Sequence, residues 1–176
     1  SARIVRILEE VKTREFDGYS FDGAVASFGM LARRALGEVP EYFKVESFRV
    51  LVERRFDARG RLVTVSEATV KLLVHGERVI SLGEGNGPVN ALDMALRKDL
   101  GVYSSYIADL NLIDYKVRIL NSGTEAFTRV LIESSDSKGN PWVTVGVSAN
   151  IVDASFQAHN DSIVYKLFSE NASTTS

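Results

Sequence analysis

The sequence has no cysteine, only three prolines and two histidines, and no apolar run longer than a strand. Without cysteine there is no disulfide framework, no thiolate zinc site and no cysteine nucleophile, a composition that fits a cytoplasmic protein. His75 and His159 stand far apart with no carboxylate motif beside them, so both read as ordinary structural or surface residues rather than as metal ligands or triad members. Membrane insertion has no support from the short apolar runs, and export none from an N-terminus without an apolar h-region and cleavage pattern. An excess of one charge is missing too: 21 basic and 23 acidic residues, spread along the chain, leave a net charge of -2. No basic face for nucleic acid is visible.

What is present is the composition of a globular domain, 45% hydrophobic and 25% charged. The 176 residues suffice for one domain and a short appendage. They are too few for a complete (β/α)8 barrel, which needs about 250.

Ile4, Ile7, Leu8 and Val11 recur at helical spacing from Ala2 to Glu15, which predicts an amphipathic helix. Ser20 is a candidate N-cap for a second helix carrying Phe21, Ala24, Phe28 and Leu31 to a stop at Gly37. From Tyr42 the period falls to two. Three antiparallel strands are expected, through Phe48 to Val52, Val70 to Val74 and Val79 to Leu82, followed by a helix from Val89 to Leu100 that ends at Gly101. After a linking stretch, 103–111, the same order returns: Tyr115 to Ile119, Thr128 to Ile132, Val143 to Val147, then a helix from about Asn150 through Leu167. Gly83, Val89, Ala91 and Ala95 fall on Gly146, Val152, Ala154 and Ala158 at one constant spacing, the 63 residues from Gly83 to Gly146. The predicted class is α+β: two pseudo-repeated βββα units over residues 39–170, preceded by a short helical subdomain, 1–38, and followed by a flexible polar tail, 171–176. Each one-sided sheet needs its apolar face covered, so dimerisation is expected.

Gly83-Glu84-Gly85-Asn86-Gly87-Pro88-Val89-Asn90 is the most unusual local sequence, at a strand-to-helix junction. Pro88 suits the first helical position, and the free N–H groups after it, with the helix dipole, can hold an anion. The segment is not a Walker loop, which would end in Gly-Lys-Ser/Thr, nor a dinucleotide fingerprint, which needs a parallel βαβ setting. Among the carboxylates, Glu133 on a polar strand face and Asp136 at a turn read as solvated, while Asp114 at a strand entry could reach a ligand ammonium. Ser66 and Ser134 have no histidine partner nearby, so nucleophilic catalysis is not expected and no complete catalytic constellation is found.

Gly85-Asn86-Gly87-Pro88-Val89-Asn90-Ala91-Leu92-Asp93, Asp114-Tyr115-Lys116-Val117-Arg118-Ile119, Thr128 to Ser135 and Trp142 to Val147 together resemble the C-terminal regulatory domain of the 2-isopropylmalate synthase family. Val45 to Val50, Ser66 to Val70, and Tyr19-Ser20-Phe21 with Ala26-Ser27-Phe28 look most like its (R)-citramalate synthase branch. The resemblance implies a non-catalytic feedback-sensing domain that pairs with its copy as a homodimer and binds an end-product amino acid near the dimer interface. Isoleucine is the implied effector in the citramalate branch, leucine in the other. It further implies an acyltransferase parent whose N-terminal barrel, not contained in these residues, holds a divalent metal and condenses acetyl-CoA with a 2-oxo acid. The helices of residues 1–37 would be the linker subdomain. No cofactor is expected for the domain itself. Carried onto this sequence, the effector site falls at Gly85, Asn86, Gly87, Pro88, Val89 and Asn90, with Leu112, Tyr115, Ala126 and Thr128 lining it and Asp114 as the nearby acid. Ser148, Ala149 and Asn150 occupy the matching junction of the second unit without the glycine signature. The competing readings are a dimerisation module with no small-molecule site and a small enzyme of unknown reaction.

Overall fold

A computed structural model describes residues 2–21, 23–122 and 125–174. The elements follow the chain as α1 (Ala2–Phe16), α2 (Val25–Ala35), β1 (Phe43–Phe56), β2 (Leu62–Val74), β3 (Glu77–Gly85), α3 (Pro88–Lys98), β4 (Asn111–Ser122), β5 (Glu125–Ser135), β6 (Trp142–Ser148) and α4 (Ile151–Ser169). The expected α+β class with two βββα repeats is borne out: the sheets are three-stranded and antiparallel, in the orders β1-β2-β3 and β4-β5-β6. The chain divides into two compact units, residues 41–108 with 173–176, and residues 1–40 with 109–172.

In the unit built on the first sheet, alternate residues of β2 point to one side. Ala68, Val70 and Leu72 are buried there with Ala91, Leu92, Ala95 and Leu96 of α3. Gly83 allows this close approach. A Cβ on it would lie 2.6 Å from the Ala91 carbonyl oxygen, so no other residue fits without moving the helix. Ser81 Oγ donates to the Ala95 carbonyl at 2.6 Å. In the other unit Val130 and Ile132 pack on Ala154 and Ala158, and a Cβ on Gly146 would collide with the Ala154 carbonyl. Thr144 Oγ1 donates to the Ala158 carbonyl at 2.7 Å. Ser81 and Thr144, like Ala95 and Ala158, are related by the same spacing as the two glycines, so the repeat extends to side-chain chemistry. Each first strand also carries a bulge, between Val45 and Ser47 in β1 and between Leu112 and Asp114 in β4.

The second face of the β4-β5-β6 sheet is covered by Tyr19, Phe21 and Ala24 against Val145 and Val147. This packing corrects the expected Ser20 cap. Tyr19 and Phe21 are drawn onto the sheet, and α2 starts at Val25 with Ala24 as its N-cap and no side-chain cap hydrogen bond. A 3-10 turn, Gly101–Tyr103, leads into the linking stretch and buries Tyr103, with Ile107 buried beyond it. α3 ends at Lys98, before the expected Gly101 stop, because Asp99 is already extended. Ala172, in the segment expected to fray, is buried, and Ser173 accepts a hydrogen bond from Tyr103 Oη at 2.9 Å. No helix among the described residues is long and apolar enough to cross a membrane.

Candidate functional site

The glycine-rich junction closes the β1-β2-β3 unit. β3 ends at Gly85, Gly87 is the N-cap of α3 with extended backbone, and Pro88 takes the first helical position. Gly87 offers no side chain to cap, and the first turn contains no acid. The first N–H with an intrahelical acceptor is that of Ala91, which donates to the Gly87 carbonyl at 2.9 Å. Pro88 has no N–H, so the donors of Val89 and Asn90 have no intrahelical acceptor at the positive end of the helix dipole. Asn90 turns its Oδ1 back to accept from the Asn86 N–H at 3.3 Å, a long bond.

The matching junction in the other unit is chemically different. Asn150 caps α4, its Oδ1 accepting from Val152 N at 2.8 Å and Asp153 N at 3.3 Å. Asp153 adds a negative charge to that first turn. One helix start is open and the other is closed by its own side chains.

Gly85, Asn86, Gly87, Pro88, Val89 and Asn90 are thus brought together at one open helix start. The sheet residues expected beside them all lie in the β4-β5-β6 unit and do not form one cluster there. Leu112 pairs with Ser134 and Tyr115 with Ile132, whereas Ala126 pairs with Asn121 and Thr128 with Ile119. Leu112 and Ala126 are therefore separated by eight residues along β5, about 26 Å at the rise of a strand. Asp114 lies on the opposite face from Leu112 and Tyr115, because the bulge at Ile113 shifts the alternation by one. Its carboxylate accepts from Tyr115 N at 2.9 Å and pairs with Lys116 at 3.2 Å. Tyr115 Oη shares a hydrogen bond of 2.9 Å with Ser155 Oγ, and burial pushes its phenol up despite that bond.

Two clefts lie elsewhere. One of about 510 Å³ is lined by Arg14, Tyr19, Ser27, Arg34, Gln157 and Asp161, whose polar groups largely satisfy one another. Arg34 pairs with Asp161 at 2.8 Å, and Tyr19 Oη donates to Gln157 Oε1. The other, about 520 Å³, lies along Leu82, Gly83, Glu84, Met94, Arg97 and Lys98. Among the described residues no group of three or more His, Asp or Glu side chains is placed to hold a metal ion.

Two polar residues have roles that the sequence pattern did not suggest. Asp136, expected to be solvated at its turn, has a side chain only 9% exposed and pairs with Lys166 Nζ at 2.6 Å, because the β5–β6 turn folds back toward α4. Ser66 is fully buried, and its Oγ has no hydrogen-bond partner among the described residues. The repeat held the only signal for Ser66, since it occupies in β2 the place that Thr128 occupies in β5.

Residues 23–167 match the family described as the LeuA allosteric (dimerisation) domain. The chain is 50% identical to the (R)-citramalate synthase of Geobacter sulfurreducens over 165 residues, 93% of this chain and 30% of that protein. It is 45% identical to the (R)-citramalate synthase of Aquifex aeolicus over 172 residues, 97% of this chain and 32% of that protein. With the 2-isopropylmalate synthase of Clostridium kluyveri it shares 30% identity over 125 residues, 71% of this chain and 21% of that one. The chain spans about 30% of the length of the citramalate synthases it matches. The resemblance read from the motifs is borne out, including its order of branches.

Proposed function

Because the chain belongs to the LeuA allosteric (dimerisation) domain family, we propose that it is the feedback sensor of an acetyl-CoA-dependent synthase acting on a 2-oxo acid. It binds a branched-chain amino acid, isoleucine in preference to leucine, at the start of α3 and works as a homodimer. The observation that carries this reading is the open helix start at Gly87 to Asn90, set against the self-capped start of α4. A zwitterionic amino acid supplies what that start lacks: a carboxylate for the Val89 and Asn90 N–H groups, at a helix terminus whose dipole favours negative charge. Its branched side chain needs an apolar wall.

Regulation then requires the effector to bind one state of the whole synthase more tightly than the other, with a coupling of about 1 to 3 kcal/mol. The divalent metal and acetyl-CoA belong to the catalytic part of such a synthase. Isoleucine and leucine differ only in where the methyl branch sits, so pocket shape separates them by about 1 to 3 kcal/mol. Isothermal titration with isoleucine, leucine and valine, with glycine as control, tests the proposal. Saturable heat with isoleucine ahead of leucine is expected. The reverse order moves the chain's sensing to leucine, and no heat with any of them leaves a dimerisation module without a small-molecule site.

A further inference from the structure

We infer that the buried hydroxyl of Ser66 is a hydrogen-bond donor to the effector carboxylate at the α3 start, and so a carboxylate-binding residue of that site. The inference rests on the reading of the junction as an effector site. Ser66 pairs with Gly85 on one side and with Val52 on the other, and cross-strand partners point to the same face. That face is the one α3 covers. A Cβ on Gly85 would lie 2.7 Å from the Ala91 backbone nitrogen, so the first turn of α3 rests on Gly85, with Ser66 directly beside it. Ser66 is also the last buried residue of β2 in this direction, since Thr64, next on the same face, is exposed. The hydroxyl therefore sits at the inner edge of the open helix start.

A buried hydroxyl with no partner costs about 1 to 3 kcal/mol, and folded proteins keep few of them. The other buried hydroxyls of the repeat are satisfied: Ser81 and Thr144 donate to helix carbonyls, and Ser134 pairs with Ser162. Ser66 stands apart, and of the two junction helices it lies beside α3, whose start has no side-chain cap, rather than α4, which Asn150 caps. In the junction Asn90 Oδ1 accepts from the Asn86 N–H in a long bond that a carboxylate can replace. A carboxylate there accepts from the α3 N–H groups and from Ser66 Oγ together. Beside it, Val52 continues the same face toward β1, is 54% exposed, and offers the effector's branched side chain an apolar shelf.

The test is titration calorimetry of isoleucine and of isoleucinamide, which lacks the carboxylate, against the wild-type chain, Ser66→Ala and Ser66→Thr, with a thermal melt of each. The expected result is that Ser66→Ala melts no lower than wild type, having lost only an unpartnered group, yet binds isoleucine about tenfold or more weakly. It should bind isoleucinamide as wild type does, because the carboxylate to which Ser66 donates is missing. Ser66→Thr, which keeps the hydroxyl, should retain isoleucine affinity within a few-fold. Unchanged isoleucine affinity in Ser66→Ala, or equal weakening in both variants, overturns the role of Ser66 and leaves the effector site standing. A wild-type chain that binds no branched amino acid removes the effector site and this inference with it.

Discussion

Among single residues, Lys166 concentrates the most charge in the least water. Its ammonium is 3% exposed and lies 2.6 Å from Asp136, 3.0 Å from Glu170 and 3.3 Å from Asp109. Burial alone would lower its pKa, but the hydrogen bonds to those three carboxylates overrule it and hold the ammonium charged well above the usual lysine range. Removing one partner of such a group is costly because it leaves a buried charge uncompensated. Asp109 also accepts from the side chain and the backbone N–H of Ser137, and these bonds, with Lys166, pull its carboxyl down to about 2 from 3.8. A carboxyl with a depressed folded-state pKa stabilises the fold above the unfolded value, and that contribution fades as pH falls through the folded one. Wild type should therefore exceed Asp109→Asn in stability by about 1 kcal/mol or less at pH 6, since the 36% exposed carboxylate is partly screened. The gap should close between about pH 4 and pH 2. Urea midpoints across that range check it; a gap as wide at pH 2 as at pH 6 would place the stabilisation elsewhere.

Secondary-structure elements show where the two repeats diverge. α3 and α4 start at equivalent junctions, one uncapped at Gly87 and one capped by Asn150. Gly87 has extended backbone at φ −159°, and nothing lies within 4 Å of where its Cβ would be, so Gly87→Asn can install the α4 cap in α3 without strain. Exchanging Gly for Asn at an N-cap should stabilise by a few tenths of a kcal/mol. It should also weaken isoleucine binding, because the new carboxamide occupies the N–H groups the carboxylate needs. A melt and a titration on the same variant read both effects, and a variant that binds isoleucine as tightly as wild type would argue against the helix start as the anion site. This divergence was partly legible beforehand, since the missing Gly-Asn-Gly-Pro signature at Ser148 to Asn150 is a local feature. So were the buried alternation of β2 and the two glycines facing alanines, because period and spacing are properties of the sequence itself. The bulge at Ile113 was not. Simple alternation groups Leu112 with Asp114, whereas one extra residue groups Leu112 with Tyr115 and turns Asp114 away. The start of α2 and the ion pair of Asp136 were hidden because each depends on a partner far away in the chain, and the burial of Ser66 showed only through the repeat, because it depends on how α3 packs over the sheet.

For the whole molecule, the question is what covers the first strand of each sheet. Three strands spaced about 4.8 Å apart are wider than one helix of about 10 Å. Val52 and Phe56 on the α3-facing side of β1 accordingly remain exposed, as do Val117 and Ile119 on the α4-facing side of β4, with Ile119 at 66%. Apolar rows of this kind on β-branched strands favour burial against another surface. Membership of a dimerisation-domain family points to a second copy as that surface. Sedimentation equilibrium should then give twice the mass of the chain at micromolar concentration. Val52→Lys and Ile119→Lys should each weaken the dimer at least tenfold, while leaving the melt of the monomer within about 0.5 kcal/mol, because both positions are exposed in the single chain. A monomer at every concentration would remove the homodimer, and an intact dimer in both variants would move the interface off these two rows. If the effector also binds near the interface, linkage makes the effects reciprocal: whatever factor isoleucine adds to dimer affinity, dimerisation adds to isoleucine affinity. Repeating the sedimentation with saturating isoleucine therefore tests a shared location, and a dimer constant unaffected by isoleucine would separate the sensing site from the dimer contact.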